Sequence, residues 1–226
     1  MRVLGIDTAT RHASIGICQD NEILAEKTEK QVASHAALIL PLVESVLLEA
    51  RLEVDQLDAI AVSAGPGSFT GLRIGLSVAK GLACATTARL VGVSTLEALA
   101  RTVVDCSGPI WTLLDARKGE LYAASFEASD GKLRRLMDDT VTLPEEIVAL
   151  LPRACTIVGD IEPRYGKLLR ESVGTGLRFL PFDQFGPSGG VVATMGAVAV
   201  TEGRAVDPTG FEPVYIRRSE AESSNG

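Results

Sequence analysis

Short runs of apolar residues, bounded by turn-forming residues, predict β-strands in the first part of the chain. The runs cover residues 2–7, 13–18, 23–28, 59–63 and 90–93. The first three follow one another closely and predict a meander. The run at residues 59–63 ends in a sharp glycine-rich loop, which is typical of a buried strand.

Between these strands, apolar residues recur at three- and four-residue spacing and predict helices. Residues 34–50 show this spacing after Ser34, a plausible N-cap, and Pro41 is expected to bend the helix. A second helix is predicted at residues 71–85. Ser94 and Glu97 have the spacing of a capping box and predict the start of a third helix. The order of elements indicates an α/β fold.

The second half of the chain repeats this order. Its first strand, residues 110–115, ends in aspartate like the first strand of the chain, and the offset from Asp7 to Asp115 is 115 − 7 = 108 residues. The later elements are predicted as strands at residues 121–126, 133–137 and 156–159, and as helices after the Thr142–Glu145 capping-box pair and at residues 189–201. We therefore predict two similar lobes, residues 1–107 and 108–218, and a disordered tail at residues 219–226.

Composition narrows the class of protein. Of 226 residues, 46% are apolar and 23% are charged, so most of the chain is expected to fold. Lys+Arg 22 against Asp+Glu 29 gives a net charge of −7, which disfavours a stand-alone nucleic-acid binder. The four cysteines have no C-x-x-C spacing, and no apolar stretch has the length of a secretion signal or a membrane span. A cytoplasmic protein with no membrane partner is expected.

A glycine-rich segment at residues 65–75 runs into the predicted second helix. Because free amides at a helix N-terminus favour anions, Ser68 and Thr70 are candidate phosphate contacts. The alternative is a tight turn that only needs glycine for its backbone conformation.

Asp7 and Asp115 end equivalent strands and could hold a hydrated Mg2+ on a nucleotide, with Thr8 supplying a hydroxyl. The alternative is that each aspartate only caps a turn through its carboxylate. The two histidines are too far apart in sequence for a metal motif, and no spacing indicates a serine, cysteine and histidine triad. No catalytic residue and no metal ligand is predicted.

Small residues recur every four positions along the second helix, at Gly71, Gly75, Ala79 and Ala83. Such a ridge lets another element approach closely. The preceding helix carries more apolar surface than one core-facing stripe needs, which favours a protein partner. Packing of the ridge inside the fold is the alternative on this pattern alone.

Four segments resemble those of a known family. They are Gly-Ile-Asp-Thr-Ala-Thr at residues 5–10, the glycine-rich segment at 65–75, Asp115-Ala116-Arg117, and Pro213-Val214-Tyr215-Ile216-Arg217. Over residues 1–217 the chain resembles the TsaB family of bacterial tRNA threonylcarbamoyladenosine biosynthesis proteins, also called YeaZ or glycoprotease-like. The resemblance implies a two-lobed actin-like ATPase fold of the sugar-kinase and actin type, ribonuclease H-like, with duplicated lobes.

The same resemblance implies a non-catalytic accessory subunit of the tRNA threonylcarbamoyltransferase complex. The catalytic paralogue TsaD, with the ATPase TsaE, forms N6-threonylcarbamoyladenosine next to the anticodon of tRNAs that read codons beginning with A. The histidines that bind the catalytic metal in TsaD are matched here by Thr95 and Leu99. Leucine cannot bind a metal and a lone threonine is a poor ligand, so no enzyme activity of its own is expected.

The resemblance also implies a binding surface for TsaD on the helices at residues 34–50 and 71–85. The residues expected there are His35, Leu38, Ile39, Leu42, Gly71, Leu72, Gly75, Leu76, Ala79 and Ala83. The same surface would form a homodimer when the chain is alone, and tRNA would be reached only through the complex. No tightly bound cofactor is expected, and ATP or ADP with Mg2+ is a candidate ligand within the complex.

Three other functions stay open at this point. A small actin-like kinase or ATPase would use Asp7, Asp115 and the glycine-rich loop at residues 186–190. A protease acting on its TsaD paralogue is suggested by the family's older name. The third is a structural dimer unconnected with tRNA.

Overall fold

The computed structural model describes residues 1–106 and 108–216. The chain divides into two compact units. The first contains residues Met1–Ala98 and Pro187–Pro213, and the second contains the described residues 99–106, 108–186 and 214–216.

The first unit is built on a five-stranded sheet in the order β3-β2-β1-β4-β5. Its elements are β1 (Arg2–Asp7), β2 (Ala13–Gln19), β3 (Glu22–Glu29), α1 (His35–Ala50), β4 (Ala59–Gly65), α2 (Phe69–Ala85) and β5 (Arg89–Ser94), with a short 3-10 turn at Val54–Gln56. The first three strands are antiparallel, and β4 and β5 run parallel to β1. Because β1, β4 and β5 are parallel, their carboxyl ends meet at one edge of the sheet.

The second unit repeats this topology. After α3 (Thr95–Arg101), its elements are β6 (Gly108–Arg117), β7 (Glu120–Ser129), β8 (Lys132–Thr142), α4 (Pro144–Leu150), β9 (Cys155–Val158), α5 (Glu162–Val173), β10 (Leu177–Phe179) and α6 (Phe182–Phe185). The chain then returns to the first unit with α7 (Gly189–Thr201). The sheet order β8-β7-β6-β9-β10 matches that of the first sheet strand for strand, with the same directions. The predicted duplication is confirmed, and α5, which was not predicted, is the counterpart of α2.

Helix α7 packs on the first sheet, opposite α1 and α2. Two glycines make this approach feasible. A Cβ atom on Gly5 would lie 2.0 Å from the Gly189 carbonyl oxygen, and one on Gly16 would lie 2.3 Å from the Gly190 nitrogen. The contacts therefore assign residues 187–213 to the first unit, unlike the predicted lobe of residues 108–218. The predicted tail at residues 219–226 lies outside the described residues.

The two faces of the first sheet carry separate aliphatic clusters. Toward α1 and α2 the cluster includes Leu4, Ile6, Ile39, Val43 and Ala79. Toward α7 it includes Val3, Ala61, Val91, Val192 and Ala193. In the second unit, α4 and α5 cover one face of the sheet, with Leu113, Ile157 and Leu169 in the cluster between them.

The predicted caps differ in outcome. Ser34 precedes α1 but makes no side-chain capping hydrogen bond, and α1 runs through Pro41 as one helix. Ser94 does cap, since its Oγ accepts the Glu97 N–H at 3.1 Å. At α4 the cap is shifted by one residue, because Glu146 rather than Glu145 accepts from Thr142 and from the Leu143 N–H. Among the described residues, no helix combines the length and apolar character needed to cross a membrane.

Candidate functional site

The turn after β1 is built around a buried carboxylate. Asp7 is completely inaccessible to solvent. One of its oxygens accepts the Ala9 N–H at 3.0 Å and the other accepts the Ser63 hydroxyl at 2.8 Å. Burial raises the pKa of Asp7 above its ordinary value, and these two hydrogen bonds oppose that change. Asp7 therefore ties the turn to the end of β4.

Thr8 lies directly under α2. Its hydroxyl donates to the Gly71 carbonyl at 2.8 Å, inside the protein. A Cβ atom on Gly71 would lie 2.0 Å from the Thr8 carbonyl oxygen, and one on Gly75 would lie 2.2 Å from Thr8 Oγ1. Because real Cβ atoms do not approach that closely, glycine is required at both positions for this packing.

Two of the backbone N–H groups at the start of α2 donate hydrogen bonds to other groups of the chain. Ser68 Oγ accepts the Gly71 N–H at 3.3 Å, and the Ser68 N–H donates to the Ala9 carbonyl at 2.7 Å. Ser68 and Thr70 are exposed. The predicted phosphate contacts are thus divided, with Ser68 and Thr70 at the surface and Asp7 and Thr8 in the interior.

Asp115 occupies the equivalent position in the second unit and caps an equivalent turn. Its Oδ1 accepts the Arg117 N–H at 2.7 Å, as Asp7 accepts from the residue two positions on. Its Oδ2 accepts from Arg164 Nη1 at 3.2 Å. Both aspartates therefore act as turn caps with further partners inside their own units.

The small-residue ridge of α2 faces its own sheet and the turn after β1, so the alternative of internal packing is correct. The structure also places most of the predicted interface residues in the interior: Ile39, Leu42, Gly71, Leu72, Gly75, Leu76, Ala79 and Ala83 are buried. Their prediction as partner contacts is corrected on that ground, because a buried side chain cannot meet a partner. His35 and Leu38 are half-buried.

The exposed side of α1 is nevertheless apolar. We call it the α1 outer face, consisting of Ala36, Ala37, Leu40, Pro41, Glu44 and Leu48, all exposed. Leu40 and Leu48 have 55% and 78% of their surface accessible. The signal that separates this face from the core is helical register. Pro41 and Leu48 lie on the side of the helix opposite Ile39 and Val46, and Leu40 lies at the flank between the two sides. Both stripes are apolar, so hydrophobicity alone could not distinguish them.

Helix α2 packs beside α1 and adds a more polar stripe. Its exposed residues include Phe69, Thr70, Arg73, Ser77 and Cys84. The Arg73 guanidinium lies over the Phe69 ring, 3.9 Å from its centroid, which gives the stripe an ordered aromatic and cationic group. Together the two helices present the α1 outer face beside a stripe that carries one ordered pair of an aromatic ring and a guanidinium.

The two positions matched to metal-binding histidines are both in the interior. Thr95 and Leu99 are fully buried, and the Thr95 hydroxyl has no hydrogen-bond partner within the part of the chain that the structure describes. Across residues 1–106 and 108–216, no group of three or more histidine, cysteine, aspartate or glutamate side chains is placed to hold a metal ion.

Comparison with known proteins gives consistent matches. A family model described as TsaD, tRNA N6-adenosine threonylcarbamoyltransferase, matches residues 22–165. The chain is 30% identical to the tRNA threonylcarbamoyladenosine biosynthesis protein TsaB of Escherichia coli strain K12, over 98% of this chain and 96% of that protein.

Solved structures agree with the topology. YeaZ from Pseudomonas aeruginosa superimposes with a TM-score of 0.80 at 26% identity, covering 95% of this chain and 99% of that one. A ROK hexokinase from Thermus thermophilus superimposes with a TM-score of 0.53 at 12% identity, covering 89% of this chain and 100% of that one, which is a likeness of fold alone. With the duplicated sheets, this confirms the predicted actin-like, sugar-kinase type of fold.

Proposed function

The chain belongs to the TsaB family of tRNA threonylcarbamoyladenosine biosynthesis proteins, and on that basis we propose that it is a non-catalytic accessory subunit of the complex in which TsaD modifies tRNA. The modification is N6-threonylcarbamoyladenosine, next to the anticodon of tRNAs that read codons beginning with A. Thr95 and Leu99 support the non-catalytic role, because two buried side chains without imidazole nitrogens stand at the positions matched to the paralogue's metal ligands.

The observation that carries the docking part of this proposal is the α1 outer face. Two leucines with more than half of their surface accessible lie on one helix, together with Ala37 and Pro41. Contiguous exposed apolar surface of this kind is typical of protein interfaces. TsaD covers this face and the exposed stripe of α2 beside it in the complex, and a second copy of the chain covers them when TsaD is absent.

The charge of the chain supports an indirect route to tRNA. A net charge of −7 repels the phosphate backbone at long range, so the contacts that hold tRNA belong mainly to the partner proteins. TsaE completes the complex as its ATPase.

Reconstitution tests the proposed function. Threonylcarbamoylation of tRNA by the other purified proteins of the pathway, TsaC, TsaD and TsaE, is expected to depend on this chain, with product formed only when it is added. The measurement is incorporation of labelled threonine into tRNA. Full activity without the chain contradicts the proposal, and modification by the chain without TsaD contradicts its non-catalytic role.

Nucleotide binding distinguishes the proposal from an actin-like kinase or ATPase. We expect the isolated chain to bind ATP with Mg2+ no tighter than ~1 mM, because Asp7 and Asp115 are already hydrogen bonded within their own units. Isothermal titration measures this directly. Micromolar binding with release of ADP would favour the kinase or ATPase, and binding that appears only with TsaD and TsaE would assign the nucleotide to the complex.

A further inference from the structure

A single turn, residues 8–12, is hydrogen bonded to the beginnings of both helices that carry the proposed docking surface. It connects β1 to β2, and Thr8, Ala9, Thr10 and His12 within it are buried. Asp7 fixes the start of the turn by accepting the Ala9 N–H and the Ser63 hydroxyl. The turn is therefore attached to the sheet before it meets either helix.

On the side of α2 the attachment is made by backbone and hydroxyl groups. The Ala9 carbonyl accepts the Ser68 N–H at 2.7 Å, and the Thr8 hydroxyl donates to the Gly71 carbonyl at 2.8 Å. The absence of side chains at Gly71 and Gly75 lets the helix backbone lie against Thr8. Because no flexible side chain lies between Thr8 and the α2 backbone, a shift in the position of Thr8 also shifts the first turns of α2.

On the side of α1 the attachment is made through the two histidines. The His35 Nε2 lies 3.4 Å from the His12 carbonyl oxygen, and His35 is the first residue of α1. His12 Nδ1 in turn accepts the Gln31 N–H at 3.0 Å, and the Arg11 carbonyl accepts the Val32 N–H at 2.8 Å. The segment that leads into α1 is therefore held by the same turn that holds α2.

We propose that Thr8 is a positioning residue for the docking surface: its hydroxyl sets the first turns of α2 against a turn that also holds α1, and so determines the relative placement of the two helices that TsaD contacts. This inference rests on the proposed function. Thr8 does not reach the partner, because it is buried beneath the helices.

The test compares Thr8 variants that distinguish the effect of losing the hydroxyl group from the effect of changing the size of the side chain. Thr8→Val removes the donor and keeps the shape, Thr8→Ala removes the donor without adding bulk near Gly75, and Thr8→Ser keeps the donor. Val3→Ala is the stability control, because Val3 lies in the core on the α7 side of the sheet, away from α1 and α2. Affinity for TsaD is measured by isothermal titration, and hydrogen exchange is measured in the free chain.

We expect Thr8→Val and Thr8→Ala to weaken TsaD binding at least five-fold, and Thr8→Ser to remain within two-fold of wild type. In the free chain, both weakened variants should exchange the hydrogen-bonded amides of residues 72–76 and 39–43, which follow the first turns of α2 and α1, faster than Val3→Ala does. The inference is overturned if Val3→Ala and Thr8→Val lose the same affinity for TsaD. It is also overturned if the Thr8 variants exchange the amides of both helices at the wild-type rate. Failure of the wild-type chain to bind TsaD overturns the proposed function and the docking claim with it, while the exchange result still decides whether Thr8 positions the helices.

Discussion

A chain carrying Leu40→Asp and Leu48→Asp is expected to bind TsaD roughly 100-fold more weakly than wild type, or not at all. Both leucines lie on the α1 outer face with 55% and 78% of their surface accessible. Truncating a central apolar contact commonly costs ~2 kcal/mol of binding, and an aspartate there must also lose its water on association. If the two changes act independently, they cost about 4 kcal/mol of binding free energy. A 100-fold loss of affinity corresponds to about 2.7 kcal/mol, so it is a conservative expectation.

The fold should tolerate these substitutions, because neither leucine belongs to the core cluster beneath α1. Surface changes of this kind typically alter the free energy of unfolding by less than ~0.5 kcal/mol. Isothermal titration against TsaD measures the affinity, and light scattering of the free chain reports whether the homodimer is lost as well.

The duplication of the fold supplies a matched control. Leu150 lies on α4, the counterpart of α1 in the second unit, and 54% of its surface is accessible. Leu150→Asp therefore makes the same chemical change at the same exposure on the equivalent helix, and it should leave TsaD binding unaltered. Equal affinity of the double variant and wild type would remove α1 from the interface, and an equal loss with Leu150→Asp would show that the effect is not specific to the first unit.

The order of strands could be predicted because each strand is short, apolar and bounded by turns. The duplication was predicted from the repeated order of elements, which begins in each half with a strand ending in aspartate, and the two aspartates cap their turns with the same geometry. The assignment of α7 to the first unit could not be predicted. It depends on Gly5 and Gly16, which leave room for a helix more than 170 residues further along the chain, and no local pattern records such a contact.

The sequence predicted the two helices that carry the candidate surface, but not which of their residues are exposed. The ridge of Gly71, Gly75, Ala79 and Ala83 has the spacing of a close-packing surface, and it is one, but its partner is the turn after β1. Spacing indicates that something approaches the helix closely; it does not distinguish an element of the same chain from another protein. The exposed leucines of α1 differ from the buried ones only in register, which the boundaries of a predicted helix rarely fix to one residue.

Gly71 and Gly81 lie on the same helix, and alanine at these two positions is expected to change stability in opposite directions. A Cβ atom on Gly71 would lie 2.0 Å from the Thr8 carbonyl oxygen, whereas nothing lies within 4 Å of one on Gly81. The Gly71→Ala variant must displace either α2 or the turn after β1, and overpacking against backbone costs ~2–3 kcal/mol. Gly81→Ala relieves the poor helix propensity of glycine and should stabilise the chain by ~0.5–1 kcal/mol.

Urea unfolding of the free chain should therefore separate the two variants by roughly 3 kcal/mol, with Gly81→Ala above wild type and Gly71→Ala below it. Helix propensity alone would raise the free energy of unfolding of both variants. A lower value for Gly71→Ala therefore reports the contact with Thr8. If Gly71→Ala is as stable as Gly81→Ala, α2 does not lie against the turn as closely as this packing requires, and the small-residue ridge would again be available to a partner. A loss of stability confined to Gly71→Ala instead assigns the ridge to the interior and leaves the α1 outer face as the apolar surface of the proposed TsaD contact.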